Sequence, residues 1–301
     1  MERVGPGEML SATFQFMRDH LKAIAIWSAI YFAMGYLAQL LMRPYYEMQL
    51  GGIGGSPNLP AQSALAIIGG ALLLFAMMVV LNAAIFRAAL YPERQELSYI
   101  RIGMDELRLF GLLFFLSIAF FIGFFIVTLV VELLVIGLIM AGGATRILGV
   151  LLAIIGVFVI LGTMIYFVVR LSSAGPLTIL RKKITIGEAW RVTRGNFWSL
   201  FGTYAVVAVV SLIAFSVVIK LTLGGEMWTA MMEQMRHPGD PLYQQQMMSA
   251  QMHQMYDLDI AHVVSKVIVA VLYMATVSLI CGSIAAATRL LVKEDTPASV
   301  F

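Results

Sequence analysis

Residues 221–262 carry Met227, Met231, Met232, Met235, Met247, Met248, Met252 and Met255, together with His237, His253 and His262. Thioethers are soft ligands that suit Cu(I), and imidazole suits several transition metals. Met248, Met252, Met255 and His253 therefore form the candidate metal set of this chain, and copper handling is the chemistry they would support. The same methionines also recur at helical spacing, because Met227, Met231 and Met235 repeat every four residues, as do Met248, Met252 and Tyr256. Methionine is an adaptable apolar residue. That periodicity predicts two amphipathic helices, broken at His237-Pro238-Gly239-Asp240-Pro241 and resting on a membrane or a partner. This packing role is the expected one, so no cofactor is assigned.

A second set of residues points to lipid. In "TIGEAWRVTRGNFWSLFG", Thr185 and Glu188 have the spacing of a capping box. Ile186, Ala189, Trp190 and Thr193 share the less polar face, while Arg191 and Arg194 can reach lipid phosphates. A basic helix of this kind lies in the membrane interface. Trp198 and the cations Arg181, Lys182 and Lys183 complete the candidate lipid or interface site, and Gly195-Asn196 supplies a break before the next apolar run.

These groups hang on a strongly apolar chain. Of its 301 residues, 60% are hydrophobic and 12% charged, against about 45–50% and about 25% in soluble domains. A bilayer core about 30 Å thick needs roughly 20 apolar residues in a helix. Six segments meet that requirement: 23–41, 64–84, 110–131, 148–169, 200–219 and 264–287. Backbone groups in lipid must be satisfied within the segment, so the expectation is an all-α integral membrane protein. Its domain is single, spanning 1–301, with a Met/Gln-rich outer insertion at 221–262 as a long helical loop between the fifth and sixth helices. Glycines and alanines in the second and fourth segments would let helices approach closely.

Fifteen of the twenty Lys and Arg residues fall on one side of these spans; Arg43, Arg146, Lys220, Arg236 and Lys266 fall on the other. The positive-inside rule then places both termini in the cytoplasm. The N-terminal stretch has no small-residue cleavage motif ahead of its apolar run and reads as uncleaved. Cys281 has no second cysteine with which to form a disulfide. Span interiors are nearly free of charge, Asn82 and Glu132 being the exceptions. Arg43, Glu132 and Lys220 all fall at outer ends of odd-numbered spans and are candidates for an ion pair, with interfacial snorkelling as the alternative.

The prelude to the fifth span has echoes. "GEMLSATFQFMRDHLKAIA" precedes the first span and "YIRIGMDELRLFG" the third. Asp19, Asp105 and Gly195 hold equivalent places before odd spans, and Arg87, Arg170 and Arg289 close the even ones. The separations are 68, 65 and 94 residues, the excess in the last matching the insertion. The chain thus reads as three units, each an amphipathic helix followed by a helical hairpin.

From Arg170 to Gly202, "RLSSAGPLTILRKKITIGEAWRVTRGNFWSLFG" resembles the membrane domain attached to some glycerophosphoryl diester phosphodiesterases and related bacterial inner-membrane proteins. The shared pattern is carried here by Gly187, Ala189, Gly195, Phe197 and Trp198. The resemblance implies a six-span membrane domain in the bacterial inner membrane. It does not bring catalysis, because that family's enzymatic barrel, with its His, Glu and Asp cluster, has no counterpart in the sequence. Nor is there a Gly-x-Ser-x-Gly elbow, a phosphate loop with its lysine, a His-Glu-x-x-His or a Cys-x-x-Cys. "GGIGGSPNLP" reads as a turn region. The expected function is non-catalytic: organising membrane lipids, or an envelope protein partner, without nucleic acid. The alternative is a transporter or lipid-handling carrier; midplane carboxylates, which ion-coupled transport would favour, are missing.

Overall fold

The computed structural model describes residues 4–51, 61–93, 96–143, 145–237, 239–240, 242–243, 246–247, 249–250 and 259–295. Nine helices organise them: α1 (Pro6–Asp19), α2 (Leu21–Gly51), α3 (Ala61–Leu90), α4 (Met104–Met140), α5 (Thr145–Leu171), α6 (Ala174–Arg181), α7 (Ile186–Val192), α8 (Phe197–Arg236) and α9 (Ile260–Asp295). A 3-10 turn, Glu96–Tyr99, lies between α3 and α4, and no strand occurs among the described residues. Six stretches are long and apolar enough to cross a membrane: Leu21–Tyr45, Ser63–Leu90, Met104–Met140, Thr145–Arg181, Phe197–Leu221 and His262–Val292. Each encloses one segment expected from the sequence. This is the architecture of a multi-pass membrane protein, and the many exposed large apolar side chains, Phe121 and Phe158 among them, are its lipid-facing surface.

Two sequence expectations need correction. Asp105 to Arg108 do not sit in a helix of their own: they form the first turns of α4, which starts at Met104 and runs on unbroken. Glu106 accepts a hydrogen bond from the backbone N–H of Gly103 at 2.9 Å, satisfying one of the donors that a helix start leaves open. At the other end, α8 continues past its span to Arg236, so the first part of the insertion is an extension of a transmembrane helix rather than a separate element.

The described residues of 1–10, 102–203 and 284–301 form one compact unit, and those of 11–101 and 204–283 another. In the second, Trp27 is fully buried and donates through Nε1 to the carbonyl of Ser98 at 3.0 Å. Arg87, also buried, donates to the carbonyl of Tyr99 at 3.1 Å. These two bonds hold a turn in which Ser98 and Tyr99 take φ of 53° and 65°, a left-handed conformation costly for side-chain-bearing residues. Phe16 of α1 packs on α9 at Gly282, where a Cβ would stand 2.5 Å from its ring. Tyr31 and Tyr273 stack at 4.6 Å, and Cys281 donates its thiol to Asn82 Oδ1 at 3.3 Å, which satisfies the polar exception in the second span.

In the first unit α4 and α5 form an antiparallel pair. Gly142 and Gly143 close the turn between them with φ of 74° and 57°. Close approach depends on Gly156, where an added Cβ would lie 2.7 Å from Val131 Cγ1, and on Gly149, which faces Ile139 at 3.0 Å. Two of the three glycines in the fourth segment are thus contact points, while Gly162 faces open space. Below the pair, Thr288 donates to Ser173 Oγ at 3.0 Å, both side chains buried.

Candidate membrane-interface site

Arg170 ends α5 one residue before its last, and the chain then makes α6, a turn, and α7. Lys182 closes α6 in a left-handed conformation. The helix α7 returns to the end of α5 because one face of it is small and apolar: Ala189, Val192 and Thr193 are buried there, beside Thr185. The junction is a knot around one guanidinium. Arg170 is 5% exposed, and its guanidinium carbon sits 4.5 Å from the centroid of the Trp190 ring. Its Nη1 donates to Thr193 Oγ1 at 3.2 Å, while the single proton of that hydroxyl is shared between the carbonyls of Arg170 at 3.0 Å and Ala189 at 2.9 Å. Arg170 Nε is buried and has no hydrogen-bond partner among the described residues.

Around the knot stands an aromatic cluster. Trp190 meets Tyr166 and Phe167 of α5, each at 5.8 Å, and Tyr166 meets Phe197 at the start of α8 at 5.4 Å. Trp198 is 77% exposed and touches Phe197 and Phe201 edge-on. Tryptophan so placed beside an apolar span is the usual interfacial anchor.

The structure brings most of the lipid candidates to one place. Lys182, Lys183, Arg191 and Arg194 are exposed within this α6–α7 segment, and their side chains have no partner among the described residues. Arg181 is engaged instead: its Nε donates to Glu188 Oε1 at 2.9 Å. That pair corrects the capping box. Thr185 has φ −128° and ψ 48°, makes no side-chain cap, and its buried hydroxyl has no partner. The carboxylate of Glu188 is engaged by a guanidinium, an ion pair as well as a hydrogen bond, instead of by the backbone N–H that a capping box would offer. Ile186, expected on the less polar face, is 39% exposed. Gly195 does break the chain after α7, with φ of 91°.

The remaining candidates lie elsewhere. Arg43, Glu132 and Lys220 are exposed on α2, α4 and α8. Met248, Met252, Met255 and His253 lie outside the described residues. Among the described residues no three of His, Cys, Asp and Glu gather closely enough to hold a metal ion.

A crevice of 290 Å³ opens between α4 and α5, lined by Leu116, Gly123 and Val127 on one helix and Ile160, Phe167 and Leu171 on the other. Its lining is apolar apart from Thr163. Phe167 belongs both to this crevice and to the cluster around Trp190. Sequence reasoning had Arg170 only as the residue closing a span; its burial, and the crevice, were missed. The available signal was an arginine at a span's end with a tryptophan on the next amphipathic helix. Arg87 repeats the device, since each arginine turns back to hold the connector that follows its own span.

No protein-family model, curated protein or solved structure matches the chain.

Proposed function

We propose that this chain is a non-catalytic multi-pass protein of the bacterial inner membrane that gathers anionic lipid, and through it or beside it an envelope protein partner, at a basic interfacial helix. The observation that carries this reading is α7, fixed to the end of α5 through Arg170, Trp190 and Thr193 while Lys182, Lys183, Arg191 and Arg194 stay exposed. A helix held by buried contacts keeps its cations in one place at the surface without spending them on internal pairs. Each such cation near an anionic leaflet contributes about 1 kcal/mol. Three repeated units, both termini in the cytoplasm, and kinship with the phosphodiesterase-attached membrane domains belong to the same proposal. The parallel between Arg87 and Arg170 supports the repeat.

Reconstitution into nanodiscs containing both phosphatidylglycerol and phosphatidylcholine tests the reading. Native mass spectrometry of the extracted protein is expected to show phosphatidylglycerol enriched over its share of the disc, and the enrichment reduced in Arg191→Gln/Arg194→Gln. Equal recovery of both lipids would refute it. Reporter fusions after Lys183 and after Lys293 are expected to read as cytoplasmic, and fusions after Pro57 and Pro238 as external.

A second reading, a lipid-handling carrier, draws on the apolar crevice between α4 and α5. It requires movement of a fluorescent phospholipid between leaflets of proteoliposomes, faster than in protein-free vesicles.

A further inference from the structure

We propose that one anionic phospholipid is bound in a defined pose by the α4–α7 region, with an acyl chain in the crevice and its phosphate at the cations of the α6–α7 segment. This rests on the lipid-gathering reading above and goes beyond it, because a binding pose is claimed rather than an enriched annulus.

Three observations converge. The crevice extends over twelve residues of α5, eleven helical steps from Ile160 to Leu171, and over a matching length of α4. That is about 16 Å at 1.5 Å per residue, roughly half of a hydrocarbon core of about 30 Å. A slot of that depth, starting where α5 ends, has the reach of one leaflet's acyl chain. Its lining supplies what such a chain needs, since it presents phenylalanine, leucine, isoleucine and valine side chains with a single hydroxyl.

The second observation is at Gly123. A Cβ built there meets nothing within 4 Å, unlike Gly149 and Gly156, whose missing side chains are filled by the neighbouring helix. Gly123 therefore serves no helix contact in the described structure. It keeps the crevice open.

The third is charge. Phe167 and Leu171 line the crevice, and Arg170 stands between them in sequence, 95% buried, with Nε unpartnered and no carboxylate against it among the described residues. Burying a cation without a counter-charge is costly. The ring of Trp190 and the hydroxyl of Thr193 offset part of that cost, and an anion at the mouth of the crevice offsets more. Lys182, Lys183, Arg191 and Arg194, exposed and unpaired among the described residues, are the groups a phosphate would reach from the aqueous side. The arrangement is specific in sign: an acyl chain alone would need none of these cations.

The test is photolabelling of the full-length protein in nanodiscs, using phosphatidylglycerol or phosphatidylcholine with a diazirine midway along one acyl chain. Labelled peptides are identified by mass spectrometry. Phosphatidylglycerol is expected to label α4 and α5 around Gly123 and Met164 more than phosphatidylcholine does. Gly123→Leu, which fills open space, is expected to reduce this labelling to background while leaving labels on the exposed face of α8 unchanged. Thr163→Leu fills the same space from the other helix and is expected to do the same, so the result does not depend on one variant folding. Arg191→Gln/Arg194→Gln is expected to lower the preference for the anionic probe by about fivefold for each cation removed. Crevice labelling equal for both probes, or unaffected by both filling variants, would overturn the proposal. Should phosphatidylglycerol still be enriched on the protein in that case, only the defined pose fails; without enrichment, the lipid-gathering reading fails with it.

Discussion

Replacing Trp190 with leucine takes away the face on which Arg170 rests and the edge that meets two rings of α5. A cation over a desolvated indole is worth about 2 kcal/mol. Each aromatic pair adds about 1 kcal/mol beyond the area it buries, and Trp190 makes two such pairs, with Tyr166 and Phe167. Leucine retains part of the apolar contact, so the expected loss is about 4 kcal/mol. The variant also leaves a buried guanidinium with only Thr193 to accept from it. Arg170→Met supplies the control: in that background Trp190→Leu is expected to cost about 2 kcal/mol less, and this difference is the coupling between ring and cation. Equilibrium unfolding in mixed micelles with increasing dodecyl sulfate, followed by far-ultraviolet circular dichroism, measures all four proteins. Trypsin cleavage after Arg191 and Arg194 reports α7 directly and is expected to quicken in Trp190→Leu. Additive single changes, within about 0.5 kcal/mol, would mean that indole and guanidinium are neighbours without holding α7 in place, and the argument from Arg170 to the surface cations would fail.

Gly156→Leu places side-chain atoms where Val131 already lies and is expected to cost about 1–3 kcal/mol in the same unfolding assay, whereas Gly123→Leu is expected to be neutral or slightly stabilising. Burial raises the pKa of Tyr99 above its ordinary value of 10.0. Because the folded chain then holds the phenolic proton more tightly than the unfolded one, this stabilisation is complete below pH 10.0 and is lost as pH rises through the raised value. Comparison with Tyr99→Phe between pH 9 and 12 is expected to show a shallower alkaline decline in the variant, and parallel declines would count against it. For the methionine-rich insertion, titration of the purified protein with Cu(I) is expected to show no submicromolar binding; such binding, abolished by Met248→Leu/Met252→Leu/Met255→Leu, would make the insertion a metal site.

The spans were legible because a membrane imposes one demand, about twenty apolar residues in a helix, that composition alone can meet or fail. Close approach in the fourth segment was legible in kind, because small residues permit it, and Gly149 and Gly156 make such contacts while Gly162 does not. The cluster of Lys182, Lys183, Arg191 and Arg194 was legible as a charge pattern. What escaped was pairing. Glu188 had two suitors, the local cap at Thr185 and the guanidinium of Arg181, and only the fold decides which is nearer. Arg170 looked like the cation that marks a span's end, since burial depends on α7 returning over it. The α4–α5 crevice depends on which glycine faces a neighbour and which faces open space, and both kinds look alike in sequence.

The length of α8 has a mechanical consequence. Its forty residues measure about 60 Å, twice the hydrocarbon core, so helix beyond Leu221 projects as an arm about 20 Å long. An arm continuous with a span is a lever: a tilt of about 10° in the span swings its tip by roughly 3–4 Å, and a push on the tip is returned to the span as torque. Gly224 and Gly225 stand at the base of that arm. Each weakens a helix interior by about 0.5–1 kcal/mol relative to alanine, so two adjacent glycines lower the intrinsic helix propensity where the arm leaves the span.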